Sequence, residues 1–249
     1  MMSLGKVAII ADIHSNLEAL QVVLKEIERL NPDKVICLGD IIGYGANPNE
    51  CCELVKKYCD VVLLGNHDAA VAGIIRDDYF VEHARVAVEW TKKILKDEYI
   101  EWIKSLPLTY ELDGFFFSHG APYSPDSFIY LVSSDAVLWS LKFLSASGFK
   151  ASFSGHAHIT YSFGVKKGES GILYGEFEEI NFDDFEVVAI NVGSVGQPRD
   201  RNPKSAFGLI EEGKIYRVFR VEYDISKAAQ KILDAGLPSI LSSRLFLGR

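Results

Sequence analysis

The chain has 249 residues, 48% of them hydrophobic and 24% charged, with a formal net charge of −8. That length is enough for a core burying roughly 70–75% of the extended surface, and a single domain over residues 1–249 is expected. The acidic balance argues against wrapping long nucleic acid, whose affinity comes from neutralising many phosphates, but it allows a small phosphorylated ligand. Lys6–Ala11 is a short apolar run and reads as a first strand. Leu17–Leu30 carries apolar residues at a helical period, with Asn16 as N-cap and Asn31-Pro32 as its stop. Lys34–Leu38 is the next strand, Asn49–Tyr58 the next helix, and Asp60–Leu64 a third strand. Such alternation predicts a parallel sheet with right-handed crossovers, in which ligands bind beyond the carboxyl ends of the strands.

Residues 69–110 read as mostly helical, with Phe80–Lys96 the clearest segment. Arg76, Tyr79 and Phe80 read as surface helix, with a lid over the site as the alternative. His83 reads as a surface or helix-packing histidine. Shorter strands follow at Thr109–Leu112, Phe115–Ser118, Ala151–Ser154, Thr160–Val165, Gly171–Gly175, Val187–Asn191, Ala206–Glu211 and Lys214–Glu222, with Gly213 turning a hairpin. A final helix is expected near Ser226–Asp234, closed by Gly236 and Pro238. The acidic stretch Glu176–Glu186 reads as a solvated hairpin edge, with a dimer contact or a gate as the alternative.

No apolar stretch approaches the ~18 residues of a membrane span. The apolar part of Met1–Ala11 is too short for a signal peptide. The four cysteines, Cys37, Cys51, Cys52 and Cys59, form no Cys-x-x-Cys pair and read as reduced thiols. Together these point to a cytoplasmic protein. Oligomeric state stays open, a homo-oligomer included.

Five of the six histidines fall in four short clusters: Asp12-Ile13-His14, Gly65-Asn66-His67-Asp68, Ser118-His119-Gly120 and Gly155-His156-Ala157-His158. A fifth cluster, Gly39-Asp40-Ile41-Ile42-Gly43, adds a carboxylate. Each follows an apolar run that reads as a strand. Asp, Asn and His are the oxygen and nitrogen donors that borderline divalent metals take. Gly39 and Gly65 put small residues before a candidate ligand, so that backbone can pack closely.

This ordered set resembles the signature of the calcineurin-like metallophosphoesterases: Asp-x-His, Gly-Asp-x-x-Gly, Gly-Asn-His-Asp/Glu, a lone His, then Gly-His-x-His. Asn191 to Arg199 and the closing Gly236-Leu237-Pro238, with Arg244-Leu245, are similar to a bacterial and archaeal subgroup related to diadenosine tetraphosphatases and small phosphodiesterases. The resemblance implies a four-layer α-β-β-α sandwich of two mixed sheets with a dinuclear metal site at one rim. It implies that Asp12, His14, Asp40 and His158 hold one divalent ion, and Asp40, Asn66, His119 and His156 the other. His67 would face the scissile phosphate and Asp68 would orient it. Mn²⁺ is the first expectation, with Fe, Zn, Ni or Co as alternatives.

The reaction expected is hydrolysis of a small phosphodiester or nucleotide, by clamping of phosphate oxygens between the metals. A phosphomonoester, a phosphoprotein or a dinucleoside polyphosphate is the alternative substrate. Arg199, in a loop after Gly-Gln-Pro, is a candidate phosphate grip, a solvated arginine being the plain alternative. Tyr44 is a candidate to stack on a base or to cover the metals. Asn191, Gly193 and Ser194 read either as an anion nest or as a tight turn. Gly120-Ala121-Pro122-Tyr123 departs from the Gly-Ser-Pro of many relatives, which leaves substrate contacts there in doubt. The rival from another class is a non-catalytic metal-binding scaffold of the same fold; the presence of His67 argues for an enzyme.

Overall fold

The computed structural model describes residues 5–249, so Met1 to Leu4 of the apolar N-terminal run lie outside it. The first strand β1 (Lys6–Ile10) leads to helix α1 (Leu17–Leu30), whose first turn is capped by Asn16 Oδ1 accepting from Ala19 N at 3.1 Å. Asn31, left-handed at φ 50°, ends it. Then follow β2 (Lys34–Cys37), α2 (Pro48–Tyr58), β3 (Val61–Val62), α3 (Asn66–Val71), α4 (Glu82–Ile94) and α5 (Asp97–Lys104). The expected strand–helix alternation holds, with ends differing by one to three residues. Residues 72–81 are not the surface helix that was expected; they are irregular chain between α3 and α4.

The second half contains β4 (Thr109–Leu112), β5 (Phe115–Ser118), α6 (Ser134–Ser147), β6 (Ala151–Ser154), β7 (Thr160–Lys166), β8 (Ile172–Gly175), β9 (Glu179–Asn181) and β10 (Phe185–Val192). The chain closes with β11 (Ser205–Glu211), β12 (Ile215–Val221), α7 (Ile225–Asp234) and α8 (Ser239–Leu247). Two six-stranded sheets result, ordered β3-β2-β1-β11-β12-β9 and β4-β5-β6-β10-β7-β8. Both are mixed. In the first, β1 runs parallel to β2 and antiparallel to β11; in the second, β10 runs parallel to β6 and antiparallel to β7.

Alternation along the strands builds the layers, because successive side chains point to opposite faces. Val7 and Ile9 of β1, Phe115 and Phe117 of β5, and Val188 and Ile190 of β10 fill the core between the sheets. Ala8 and Ile10 point the other way, onto α1 and α2, while Phe116, Val187 and Ala189 pack against α6. This is the four-layer sandwich the motifs implied. Among the described residues no helix is long and apolar enough to cross a membrane.

The acidic stretch departs from the expected hairpin edge. It carries the chain from the edge of one sheet to the edge of the other, with β9 pairing β12. Ile180, Phe182 and Phe185 are buried in the core between the sheets. The interleaved aromatic residues, not the acids, set its role.

Candidate metal centre

The clusters meet at one rim because their loops are hydrogen-bonded into one another. Beyond β1 and β2, Asp12 N donates to Gly39 O (3.0 Å), His14 N to Asp40 O (3.0 Å) and Ser15 N to Ile41 O (2.9 Å). Gly155 N donates to His119 O (3.0 Å), and Gly196 N to Asp12 O (2.9 Å), which joins the second sheet to the first. At Gly65 a Cβ would lie 2.2 Å from both Asp40 N and Asp40 Oδ1, so only glycine allows these two loops to touch.

The backbone at the donors is unusual. Asp12, His14, Asp40, His156 and His158 all have φ between 50° and 69°. This left-handed geometry is uncommon for residues with a Cβ and clusters at functional sites. It aims the paired side chains of Asp12 and His14, and of His156 and His158, at common points instead of leaving them parallel along a strand.

The donor atoms converge as a result. Those of Asp12, His14, Asp40 and His158 lie within 4.8 Å of one another, as do those of Asp40, His119 and His156. Asp40 belongs to both groups. Asn66 Oδ1, 3.1 Å from His119 Nε2, joins the second. Asp12 also accepts from His156 N (2.9 Å) and Asp40 from His67 N (2.8 Å), so each carboxylate is held by a backbone amide.

The ring orientations test whether metals fit. Nδ1 of His14, His119 and His158 face the carbonyls of Ile42, Leu38 and Gln197 at 3.1, 2.9 and 2.7 Å. A carbonyl accepts only, so each Nδ1 carries the proton, as backbone carbonyls arrange for metal-binding imidazoles. The Nε2 atoms then point into the cluster, where those of the neutral His14 and His158 rings meet lone pair to lone pair at 3.0 Å. Two lone pairs at that distance repel unless a cation lies between them. Both ring nitrogens of His156 are buried with no hydrogen-bond partner. The donor set fits two divalent cations sharing Asp40.

The electrostatics agree. Burial holds the imidazoles of His14, His156 and His158 well below their usual range, hence neutral. Burial pushes Asp12 up to about 8, with His119 pulling the other way. Burial would also raise Asp40, but the charge and hydrogen bond of His119 outweigh it and hold that carboxyl well below the carboxylate range. For His119 burial is outweighed by Asp40, and the ring is raised to about 9.

A matching model for calcineurin-like phosphoesterases covers residues 5–160. The chain belongs to the calcineurin-like phosphoesterase family. It is 42% identical over 250 residues to an uncharacterised protein of Methanocaldococcus jannaschii, covering 98% of each. A metallophosphoesterase structure from Sphaerobacter thermophilus is 31% identical, with a TM-score of 0.84 over 98% of this chain and 99% of that one. A hypothetical protein from Pyrococcus horikoshii, 20% identical, shares the fold at a TM-score of 0.77 over 98% of each chain. The chain is thus a phosphoester hydrolase, and its Asp/His cluster suits the divalent metals of such an enzyme.

The remaining phosphoesterase motif residues are placed less uniformly. The His67 ring packs against Tyr44 (4.5 Å), Phe80 (4.7 Å) and His14 (4.8 Å), with Nδ1 unpartnered. Asp68 does not orient it. Its carboxylate accepts from Ile41 N (3.0 Å), Ile42 N (3.2 Å) and Gly65 N (3.2 Å), tying the Asp40 loop to the Asn66 loop. Burial pushes Asp68 up to about 7, against the pull of the Ile42 and Ile41 amides. Ser194 Oγ donates to Asp12 O (2.7 Å) and Asn191 Nδ2 to Gly155 O, so this segment braces the metal loops and does not form an anion nest.

The centre opens into a cleft of about 680 Å³. Tyr44, buried, and Arg199, stacked 5.6 Å from its ring centre, form one wall. Phe128 and Tyr130 come from the loop after His119, whereas Tyr123 does not line the cleft. Arg76, Tyr79 and Phe80 line it too, as does His83, half-buried on α4 as a surface or helix-packing histidine would be. Arg244, on the unforeseen helix α8, completes it. No motif spacing flags Phe128, Tyr130 or His83, and Arg244 is visible only within the closing resemblance, without a role; tertiary packing brings all four to the cleft.

Proposed function

We propose that the chain is a metal-dependent phosphodiesterase acting on small phosphodiesters or nucleotides. One observation carries this reading: each end of the donor cluster has an aromatic ring against it. Tyr44 packs edge-on to His14 (4.6 Å) and Tyr130 stacks on His156 (3.7 Å), so a phosphate at the centre has apolar surface for an ester arm on either side. Asp12, His14, Asp40 and His158 would hold one ion, and Asp40, Asn66, His119 and His156 the other, with Mn²⁺ the first candidate. When bound, the ions supply Lewis-acid charge to phosphate oxygens and acidify the attacking water.

The chain's own groups supply the rest. The backbone amides of His156 and His67 fix the carboxylates, and the carbonyls of Ile42, Leu38 and Gln197 fix the imidazoles. His67 borders the cleft beside Asn66. Burial lowers it to about 4, with Asp40 opposing, so at neutral pH it is a neutral N–H donor. It would take up a proton only beside an anionic phosphate and pass it to the leaving oxygen. Arg199 would grip phosphate oxygens of the substrate from the cleft wall, and Tyr44 would line the path of the leaving arm. The four cysteines are free thiols, which supports a cytoplasmic setting.

The test is hydrolysis of bis-p-nitrophenyl phosphate and of p-nitrophenyl phosphate after EDTA treatment and Mn²⁺ reloading. Mn²⁺-dependent turnover with the higher kcat/KM for the diester is expected. Preference for the monoester would replace the diesterase reading with a phosphatase. Metal binding with no turnover of either would make the chain a scaffold.

A further inference from the structure

The chain is acidic overall, yet the cleft beside the metal centre concentrates positive charge. Arg76, Arg199 and Arg244 line it, against the single carboxylate of Asp126, and His83 beside them is a nitrogen donor whose pKa is lowered by burial and by Arg244 and Arg199. Arg76 is engaged by Asp78. Arg199 and Arg244 have no side-chain carboxylate within salt-bridge distance among the described residues. Like charges placed together in a partly dry cleft are unfavourable unless an anion joins them.

Their placement is held by the fold. Gln197 Oε1 accepts from Arg199 Nη2 at 2.9 Å and faces Arg244 Nη1 at 3.5 Å, so one amide oxygen draws both guanidinium groups together. Arg199 is anchored by its own N–H to His158 O (2.9 Å), and Arg244 by Nε to Arg249 O (2.7 Å). The Nε of Arg199 is buried with no partner. His83 Nε2 lies 3.5 Å from Arg244 Nη1 and adds a third nitrogen to the same spot. Arg199 can balance the carboxylates of the metal centre from where it stands. Arg244 spends only its Nε on the oxygen of Arg249, the last residue of the sequence, which leaves its Nη1 facing Gln197 and His83, and nothing in the hydrolysis of a single phosphate requires it.

Planar guanidinium forks match phosphate oxygens, and two forks side by side suit a multiply charged oxyanion. We propose that Arg199 and Arg244, gathered on Gln197 and flanked by His83, form a subsite for a second phosphate of the substrate, one that is bound and not hydrolysed. The inference rests on the phosphoesterase reading of the metal centre and narrows its substrate to molecules with two phosphates. The second group is either the next phosphate of an anhydride chain or a separate ester on the same molecule.

Calorimetric titration of the Mn²⁺-loaded protein, with equal free Mn²⁺ in cell and syringe, separates these. The probes are AMP, α,β-methylene-ADP and adenosine 3′,5′-bisphosphate. At least one doubly phosphorylated probe should bind about tenfold tighter than AMP, as expected for charge-assisted hydrogen bonds to a second anion. An advantage for α,β-methylene-ADP identifies an anhydride chain, and one for the bisphosphate a separate ester. Arg244→Gln should remove most of the advantage and Arg244→Lys should keep part of it, with AMP affinity changing less than the doubly phosphorylated probe's. Equal binding of all three probes to the wild type overturns the subsite. So does a loss in Arg244→Gln that is the same for AMP. Turnover of bis-p-nitrophenyl phosphate, measured in parallel, keeps the two readings apart. Turnover without the preference removes only the subsite, and preference without turnover removes only the enzyme.

Discussion

Replacing Asp68 separates two roles that its position beside His67 makes easy to confuse. If the carboxylate ties loops together, its loss is a stability effect; if it orients His67, the loss is a rate effect. Asp68→Ala would strand the amides of Ile41, Ile42 and Gly65, which now donate to it at 3.0 to 3.2 Å. Each buried N–H left unpaired costs about 1–3 kcal/mol. Relief from burying the carboxylate, whose pKa stands at about 7, offsets part of this. A net loss of about 2–4 kcal/mol is expected. In a chain of this size that lowers Tm by roughly 4–16 °C. Asp68→Asn keeps one acceptor oxygen but sets an NH₂ against an N–H donor, and should fall between wild type and Ala. Differential scanning calorimetry of the EDTA-treated proteins reads the effect without metal. Metal content should fall too, because Asp40 and Asn66 sit on the two loops that Asp68 joins. A Tm within 2 °C of wild type, combined with a hundredfold drop in kcat at full metal content, would refute this reasoning and restore the orienting role.

Other perturbations address the ring and the donors. His67→Ala should retain two metal equivalents by elemental analysis while kcat on the diester falls about 10²–10⁴-fold; an unchanged kcat would remove His67 from the chemistry. Gly43→Ala would place a Cβ 2.6 Å from His67 Nδ1 at a φ of +91°, so the ring must shift and kcat should fall at least tenfold, a small displacement being able to cost on the order of 100-fold. Gly73→Ala is its control, with φ +74° and nothing within 4 Å; it should lower Tm through strain alone and leave kcat intact, and an equal kcat loss in both variants would show that the ring contact is irrelevant. Loading metal into EDTA-treated protein at pH 7 should release protons, because Asp12, raised to about 8, and His119, raised to about 9, must both give theirs up. Affinity should therefore rise with pH across that range. Calorimetry in buffers of different ionisation enthalpy measures the release, and none at pH 7 would contradict the proposed ligand set.

Much of the sandwich was legible because its strands alternate or run apolar between glycine, proline and asparagine punctuation. The helix Leu17–Leu30 was legible to the residue, since its buried face repeats at a helical period and Asn16 caps it. Helices α6 and α8 were not. In α6, Val137, Leu138, Trp139, Leu141, Phe143 and Leu144 spread apolar side chains around the axis, and α8 does the same with Ile240, Leu241, Leu245, Phe246 and Leu247. Without a polar face there is no periodic contrast to read. Missing α8 left Arg244, seen only in the closing resemblance, without a place in the site, and preferring surface helix over a lid for Arg76, Tyr79 and Phe80 kept the wall formed by Phe80 in second place. The adjacency of Asp68 to His67 suggested contact, whereas on a short helix neighbouring side chains diverge, and the carboxylate turns under the loops instead.

The donor identities were written in the motifs, but their convergence depends on backbone torsions that composition does not reveal. In an extended strand Asp12 and His14 would share a face with their side chains roughly parallel; at a strand end the chain could as well carry them apart. Positive φ at Asp12, His14, Asp40, His156 and His158 aims them at common points. Such torsions each cost of order 1–3 kcal/mol, so surrounding contacts must hold them in place. Those contacts are the inter-loop amide bonds, the Asp68 carboxylate, the close approach at Gly65 and the carbonyls behind three imidazoles. None of them involves a metal. The polypeptide thus supplies contacts that hold the donors facing one another, and a bound ion would offset the lone-pair repulsion between His14 and His158.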